Sequence, residues 1–339
     1  MYRRIVLNER PGSGPINDKT FRQETESLDT LVPGKEETLV KVLYFSLDPA
    51  MRGWLNDSRS YVPPVQISET MRAHGLAQVV KAGEGSKFKV GDLVSGMTGW
   101  SEYRILADKD TQNVSVPPGA EPLDALNNLG FPGLTAYFGL KDICQVKQGE
   151  TLVVSGAAGA VGSLACQLGK RWGARVVAFA GTDEKCDWLV KEIGVDVALN
   201  YKSPSFAKDF REVGLVNAYF DNVGGEILDL VLTRLAQGAR IALCGAISDY
   251  NGVNKGLRNY LSLISMRAKI EGFIVFDYAK RYSEGLEEIA RGLGDGSIKR
   301  KFHIVEGLEN APTALPLLFS GGNTGKLVIK VAGETNARL

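Results

Sequence analysis

The sequence predicts an α/β protein in which a doubly wound parallel sheet is joined to a second, β-rich domain. Three observations carry that expectation. The chain has 339 residues, more than the roughly 250–300 at which one hydrophobic core stops growing. Up to about residue 120 it runs in short apolar or alternating segments broken by glycine and proline, the pattern of strands and turns. From about residue 125 strand-like runs alternate with stretches long enough for helices, which predicts parallel strands with helices on both faces.

Strands of the first domain are expected at 38–44, 77–80, 90–94 and 101–106, and those of the second at 151–155, 175–180, 195–199, 218–221, 240–244 and 269–275. Helical stretches are expected at 161–172, 257–265 and 282–292. The chain from 298 returns to the first domain and ends in a strand at 325–330. The expected division is therefore 1–125, 126–297 and 298–339.

Forty basic residues against 39 acidic ones leave a net charge of +1 with no charged block. That balance points away from nucleic acid and from membrane surfaces as partners. Cys144, Cys166, Cys186 and Cys244 lie far apart with no C-x-x-C pair, which reads as reduced thiols of an intracellular protein. The start turns polar at Asn8 after three apolar residues and no 18-residue apolar span occurs, so a cytoplasmic rather than secreted or membrane-inserted protein is expected. The end, Ala337-Arg338-Leu339, has the form of a peroxisomal address, but three residues match easily by chance and a solvated tail is the better reading.

The most informative motif is Ser155-Gly156-Ala157-Ala158-Gly159-Ala160-Val161-Gly162, which follows a strand and opens an apolar helix. Glycines at 156, 159 and 162 suit a tight turn, a close backbone approach to a pyrophosphate and close helix–strand contact. The helix N-terminus adds partial positive charge. Gly156, Ala158, Gly159, Ala160, Val161 and Gly162 are thus the expected dinucleotide contacts of a Rossmann unit, with Gly181 at the tip of its second strand.

That tip reads Ala180-Gly181-Thr182 and lacks the carboxylate that normally accepts bonds from a ribose 2′-hydroxyl. Asp183 and Glu184 keep an NADH site open, although both suit the first turn of the next helix. Lys185 is spaced to meet a 2′-phosphate, which favours NADPH.

Several strings occur together and in order. They include Leu47-Asp48-Pro49-Ala50-Met51-Arg52-Gly53, Ser60-Tyr61-Val62-Pro63-Pro64-Val65, Phe131-Pro132-Gly133-Leu134-Thr135-Ala136-Tyr137-Phe138-Gly139, Asn200-Tyr201-Lys202, Phe220-Asp221-Asn222-Val223-Gly224-Gly225-Glu226 and Gly245-Ala246-Ile247-Ser248-Asp249-Tyr250-Asn251. Together they resemble the zinc-free branch of the medium-chain dehydrogenase/reductase superfamily that holds leukotriene B4 dehydrogenase-like enzymes, NADPH-dependent curcumin reductases and alkenal double-bond reductases. The resemblance implies a GroES-like β domain, a Rossmann domain and an enzyme that is commonly a homodimer. It implies that Lys185 and Tyr201 hold the 2′-phosphate of NADPH. Asn222, Asn323, the loop Cys244, Gly245, Ala246, Ile247 to Tyr250, and a strand Phe273, Ile274, Val275 line the rest of that site, with Thr135 beside the nicotinamide.

A catalytic zinc is not expected, because the chain has two histidines, His74 and His303, and no cysteine before Cys144. His74 is read instead as a hydrogen-bonded structural residue. Without a Lewis acid, conjugate reduction asks less of the protein than alcohol oxidation: hydride goes to the β-carbon of an α,β-unsaturated carbonyl, and neutral donors stabilise the enolate oxygen. The resemblance makes Tyr250 and Tyr61 the candidate donors and substrate contacts, with Met51 and Tyr260 as further contacts, although core packing accounts equally well for Tyr260. Plant double-bond reductases tend to carry tyrosine where this chain has Ala50, which favours the curcumin-reductase-like side. The small-molecule substrate is then a conjugated carbonyl. A prostaglandin- or leukotriene-type alcohol dehydrogenase and a non-catalytic NADPH-binding protein are the alternatives.

Overall fold

A computed structural model describes residues 1–252 and 255–331. The tripeptide Ala337-Arg338-Leu339 lies outside the described residues. Two compact units are present: one comprises Met1–Val116, Glu121–Leu126 and the chain from Phe302 on, the other Pro117–Ala120 and Asn127–Lys301. Among the described residues no helix is long and apolar enough to cross a membrane.

The second unit is built on six parallel strands: β1 (Thr151–Val154), β2 (Arg175–Ala180), β3 (Val197–Asn200), β4 (Val216–Asp221), β5 (Leu235–Leu243) and β6 (Lys269–Gly272). Their spatial order is β3-β2-β1-β4-β5-β6, every neighbouring pair parallel. Alternate side chains of each strand enter opposite layers. Leu152, Val154, Val176, Ala178, Ala218 and Phe220 face one core, whereas Val153, Val177, Phe179 and Tyr219 face the other. Both faces are covered, so the strands at the centre of the sheet are largely apolar.

The helices are α1 (Phe131–Phe138), α2 (Ala160–Arg171), α3 (Asp183–Trp188), α4 (Phe206–Glu212), α5 (Gly225–Leu232), α6 (Ser262–Ser265) and α7 (Tyr282–Gly294). β1 and β4 are neighbours from which the chain proceeds in opposite directions, and in doubly wound sheets such a switch point opens a crevice at the carboxyl ends of the strands.

Two segments depart from expectation. Of the run 257–265, Ser262–Ser265 alone is helical. The Asp229 carboxylate accepts the backbone N–H groups of Arg258 (2.7 Å) and Asn259 (2.8 Å) and the Asn259 amide (2.7 Å), which holds the preceding segment outside a helix. The strand expected at 269–275 stops at Gly272. Phe273 turns to pack edge-on against Phe220 at 6.3 Å, and a 3-10 turn runs over Val275–Arg281, its first carbonyl accepting from the Tyr282 hydroxyl at 3.1 Å.

In the first unit the strands Glu37–Ser46, Gly75–Ala82 and Leu93–Gly96 pair antiparallel, and Tyr103–Ala107 adds to the first of them. The returning chain supplies Phe302–Glu306 and Lys326–Lys330, the latter pairing antiparallel with Glu37–Ser46. Its core is organised round the fully buried Trp100, whose ring lies 4.8 Å from Phe21 and 5.9 Å from Phe45.

Lys326 is 1% exposed, and its ammonium donates to the Asp48 carboxylate and to the Leu47 carbonyl (3.3 Å). The Ser46 hydroxyl donates to the other Asp48 oxygen at 2.6 Å. His74 lies in the field of this pair; desolvation pushes its imidazole down to about 4, with Lys326 adding to the effect and Asp48 opposing it. The folded value lies below the roughly 6.5 of an unfolded histidine, so the unfolded chain binds more protons between the two. The stability His74 contributes is therefore complete above about pH 6.5 and lost as pH falls towards 4. Thermal unfolding across that window should show the wild type losing roughly 2–3 kcal/mol relative to His74→Gln. Parallel curves for the two proteins would show that His74 takes up its proton in the fold as readily as in the unfolded chain.

Candidate functional site

The site is built at the carboxyl ends of β1, β4 and β5. After β1 the chain passes through the buried Ser155 and turns at Gly156, whose φ of +57° lies in the left-handed region that favours glycine. Gly159 is the extended N-cap of α2 and supplies no side-chain cap. A Cβ on Gly162 would lie 2.4 Å from the Gly156 carbonyl oxygen and 2.8 Å from the Ala157 Cα, so this turn and helix fit only around a glycine. The Ala157 N–H donates to the Phe179 carbonyl at 3.0 Å and ties the turn to β2. Ala158 is nearly buried, while Ala160 and Val161 are partly exposed in the first turn, where N–H groups that lack intrahelical acceptors form a binding place for an anion.

At the tip of β2, Gly181 backs onto Tyr201: a Cβ there would meet the Tyr201 hydroxyl at 2.8 Å. The Thr182 hydroxyl accepts the Lys185 N–H at 3.3 Å and caps α3. Asp183 accepts from the Asn200 amide at 2.8 Å. The acidic residue spaced for a ribose hydroxyl is therefore engaged by the side chain that ends β3. The Lys185 amine is lowered, first by burial and then by the charge of Lys202. The Lys202 ammonium lies 6.0 Å from the Tyr201 ring centroid. Two cations that feel each other's charge, one of them over the Tyr201 ring, make a locus that an added phosphate would neutralise.

Between these ends lies a buried carboxylate. Asp221, fully buried at the end of β4, accepts from the Ser155 hydroxyl (2.8 Å), the Tyr219 hydroxyl (2.7 Å) and the N–H groups of Val223 and Gly224 (both 3.0 Å). Burial raises its pKa and these bonds oppose the rise. Ser155 in turn accepts from the Asn222 N–H at 2.9 Å, and the Asn222 amide donates to the Ser155 carbonyl at 2.7 Å. Asn222 stands against Gly156, 3.3 Å from where a Cβ would be.

The following loop packs here too. The N–H groups of Cys244 and Gly245 donate to the Asp221 carbonyl at 2.9 and 3.1 Å, and Ile247 N–H to that of Asn222 at 3.4 Å. The Tyr250 hydroxyl accepts from the Ala246 N–H at 3.2 Å. A Cβ on Gly245 would lie 3.3 Å from that hydroxyl and 3.2 Å from the Asn222 carbonyl oxygen. Burial pushes the Cys244 thiol up to about 12, so it stays protonated.

Gly156, Asn222, Gly245 and Tyr250 thus form one cluster. Phe273 reaches it through Phe220, while Ile274 and Val275 follow β6 outside any strand. Thr135 donates its hydroxyl to the Phe131 carbonyl at 2.7 Å. Tyr260 is 54% exposed in the turn before α6, so core packing does not account for it. In the first unit Tyr61 is 49% exposed, and the Asn323 amide donates to the Gly325 carbonyl at 3.0 Å. Met51, expected beside the substrate, is wholly buried in that unit's core with Leu47, Leu55 and Trp100. Sequence reasoning assigned no role to Ser155, Asp221 or Lys202; a hydroxyl and a carboxylate ending adjacent strands, and a second cation beside Tyr201, were the available signals.

Residues 3–114 match the family described as N-terminal domain of oxidoreductase, and residues 160–291 that described as zinc-binding dehydrogenase. The NADP+-dependent 2-alkenal reductase of Nicotiana tabacum is 41% identical, over 97% of this chain and 97% of that protein. The NADPH-dependent curcumin reductase of Escherichia coli is 38% identical over 98% and 97%. The chain belongs to the medium-chain dehydrogenase/reductase superfamily, in the branch of these reductases. A crystal structure of CurA in complex with NADPH from Vibrio vulnificus superposes on this reductase with a TM-score of 0.91 at 39% identity, covering 98% of this chain and 100% of that one.

Although one matched family is described as zinc-binding, the donors of this reductase do not fit a zinc ion. Among the described residues no three His, Cys, Asp or Glu side chains come together to hold a metal.

Gly162→Ala forces Cβ against backbone and should cost about 1–3 kcal/mol in urea unfolding. Gly159→Ala, whose nearest neighbour would be 3.3 Å away, should cost less. Equal losses would contradict the close packing of turn and helix.

Proposed function

We propose that this reductase uses NADPH to reduce the carbon–carbon double bond of α,β-unsaturated aldehydes and ketones, the 2-alkenal, enone and curcumin type. The observation that carries the cofactor half is the cluster of Lys185, Lys202, Tyr201 and Gly181, with Asp183 occupied by Asn200. Full-length similarity to a 2-alkenal reductase and a curcumin reductase supports the substrate half.

Gly156, Gly159, Gly162 and the first turn of α2 would hold the pyrophosphate, Lys185 and Tyr201 the 2′-phosphate, and Asn222 with Cys244, Gly245, Ala246, Ile247 and Tyr250 the nicotinamide end. When bound, NADPH supplies the hydride that adds to the β-carbon. The Tyr250 hydroxyl is the donor assigned to the carbonyl oxygen, where negative charge collects. Accepting the Ala246 N–H polarises this O–H towards donation. The α-carbon takes its proton from that hydroxyl or from water. Tyr61 is assigned to the substrate as a second donor. The enzyme is read as a homodimer, supported by the exposed Tyr260, Leu261 and Ile264 on one short stretch of the Rossmann unit.

Nicotinamide absorbance with trans-2-alkenals, aryl enones and simple alcohols tests the reading. Consumption of NADPH with enals and enones is expected, and turnover of alcohols alone would contradict it. Lys185→Ala should weaken NADPH about 10–100-fold, the worth of one charged hydrogen bond, and leave NADH nearly unaffected. Equal losses for both cofactors would remove Lys185 from the phosphate site. Tyr250→Phe should slow turnover about 10²–10³-fold while NADPH affinity holds. An unchanged rate would take Tyr250 out of the mechanism.

A further inference from the structure

The loop after β5 is fastened residue by residue to the turn after β4. The carbonyl of Asp221 takes Cys244 and Gly245, that of Asn222 takes Ile247, and that of Val223 takes Ser248 twice: from its N–H at 3.1 Å and from its hydroxyl at 2.7 Å. The Val223 N–H meanwhile donates to the buried Asp221 carboxylate at 3.0 Å, so the peptide that receives Ser248 is itself anchored.

The close approach depends on two glycines. Gly224 and Gly225 both have positive φ, +71° and +54°, and a Cβ on Gly225 would come within 2.6 Å of the Ser248 Oγ. Two residues beyond this clasp lies Tyr250, whose hydroxyl folds back to accept the Ala246 N–H while Asp249 N–H donates to the Ala246 carbonyl at 2.9 Å. The loop therefore closes on itself between Ala246 and Tyr250 and is pinned to the sheet at Ser248.

We propose that Ser248 is a positioning residue: its hydroxyl, bound to the Val223 carbonyl, fixes where the Tyr250 hydroxyl stands. The proposal rests on the reading of Tyr250 as donor. Ser248 touches no reacting atom. It acts by removing freedom from the segment that carries Tyr250, and a displacement of about 1 Å in a positioned group is enough to cost on the order of 10²-fold in rate.

The test compares Ser248→Ala and Ser248→Thr in the otherwise natural enzyme and in Tyr250→Phe, measuring kcat with a trans-2-alkenal and the dissociation constant of NADPH. Ser248 is exposed and its removal leaves no buried group unpaired, so both variants should fold. Ser248→Ala should lower kcat about tenfold with little change in NADPH affinity, and Ser248→Thr, which keeps the hydroxyl, should recover most of it. In the Tyr250→Phe background Ser248→Ala should have almost no further effect. An equal loss in both backgrounds would show that Ser248 acts independently of Tyr250 and would overturn the proposal. If Tyr250→Phe is slowed but Ser248→Ala turns over like the natural enzyme, the positioning role alone falls. If Tyr250→Phe is itself unchanged, the donor reading fails and the Ser248 role falls with it.

Discussion

The constraint on which the cofactor end of this protein depends is the burial of the Asp221 carboxylate at the switch point of the sheet. An unpartnered carboxylate there would be costly, and it is sustained by hydroxyls from Ser155 and Tyr219 and by two backbone N–H groups. Each of those donors belongs to a part that must be placed. Ser155 begins the glycine-rich turn, Val223 and Gly224 form the turn after β4, and the Asp221 carbonyl starts the loop that ends at Tyr250. One buried charge thus registers the ends of three strands, and the crevice between them inherits its shape.

A second piece of electrostatics sits at the other end of the same crevice. Burial, and after it the charge of Lys202, disfavours the charged form of Lys185. The fold keeps them together because Gly181 lets Tyr201 close over the tip of β2 and because Thr182 starts α3 at the right residue. A pair of cations so placed favours an anion beside it.

Much of this was legible in the sequence. The strands β1, β2 and β4 lie under largely apolar runs, because a sheet covered on both faces favours apolar side chains on both. The glycine register at 156, 159 and 162 marked the turn for equally local reasons. What escaped were features set by distant partners. The run 257–265 has helical periodicity, yet Asp229, almost thirty residues earlier, takes its amides. Phe273 belongs to an apolar strand-like run, yet its ring is drawn to Phe220. Met51 stands in a string shared with substrate-side residues and is swallowed by the core, which no local pattern distinguishes from a pocket wall. The role of Ser248 depends on a carbonyl 25 residues away and on two glycines having left it room.

The most direct measurement of the central claim is to follow where the hydride goes. Incubated with trans-2-hexenal and NADPH carrying deuterium at C4 of the nicotinamide, the protein should give saturated hexanal bearing the label on C3, the former β-carbon. Label on C1 of an allylic alcohol, with the double bond intact, would make the enzyme a carbonyl reductase and contradict the account.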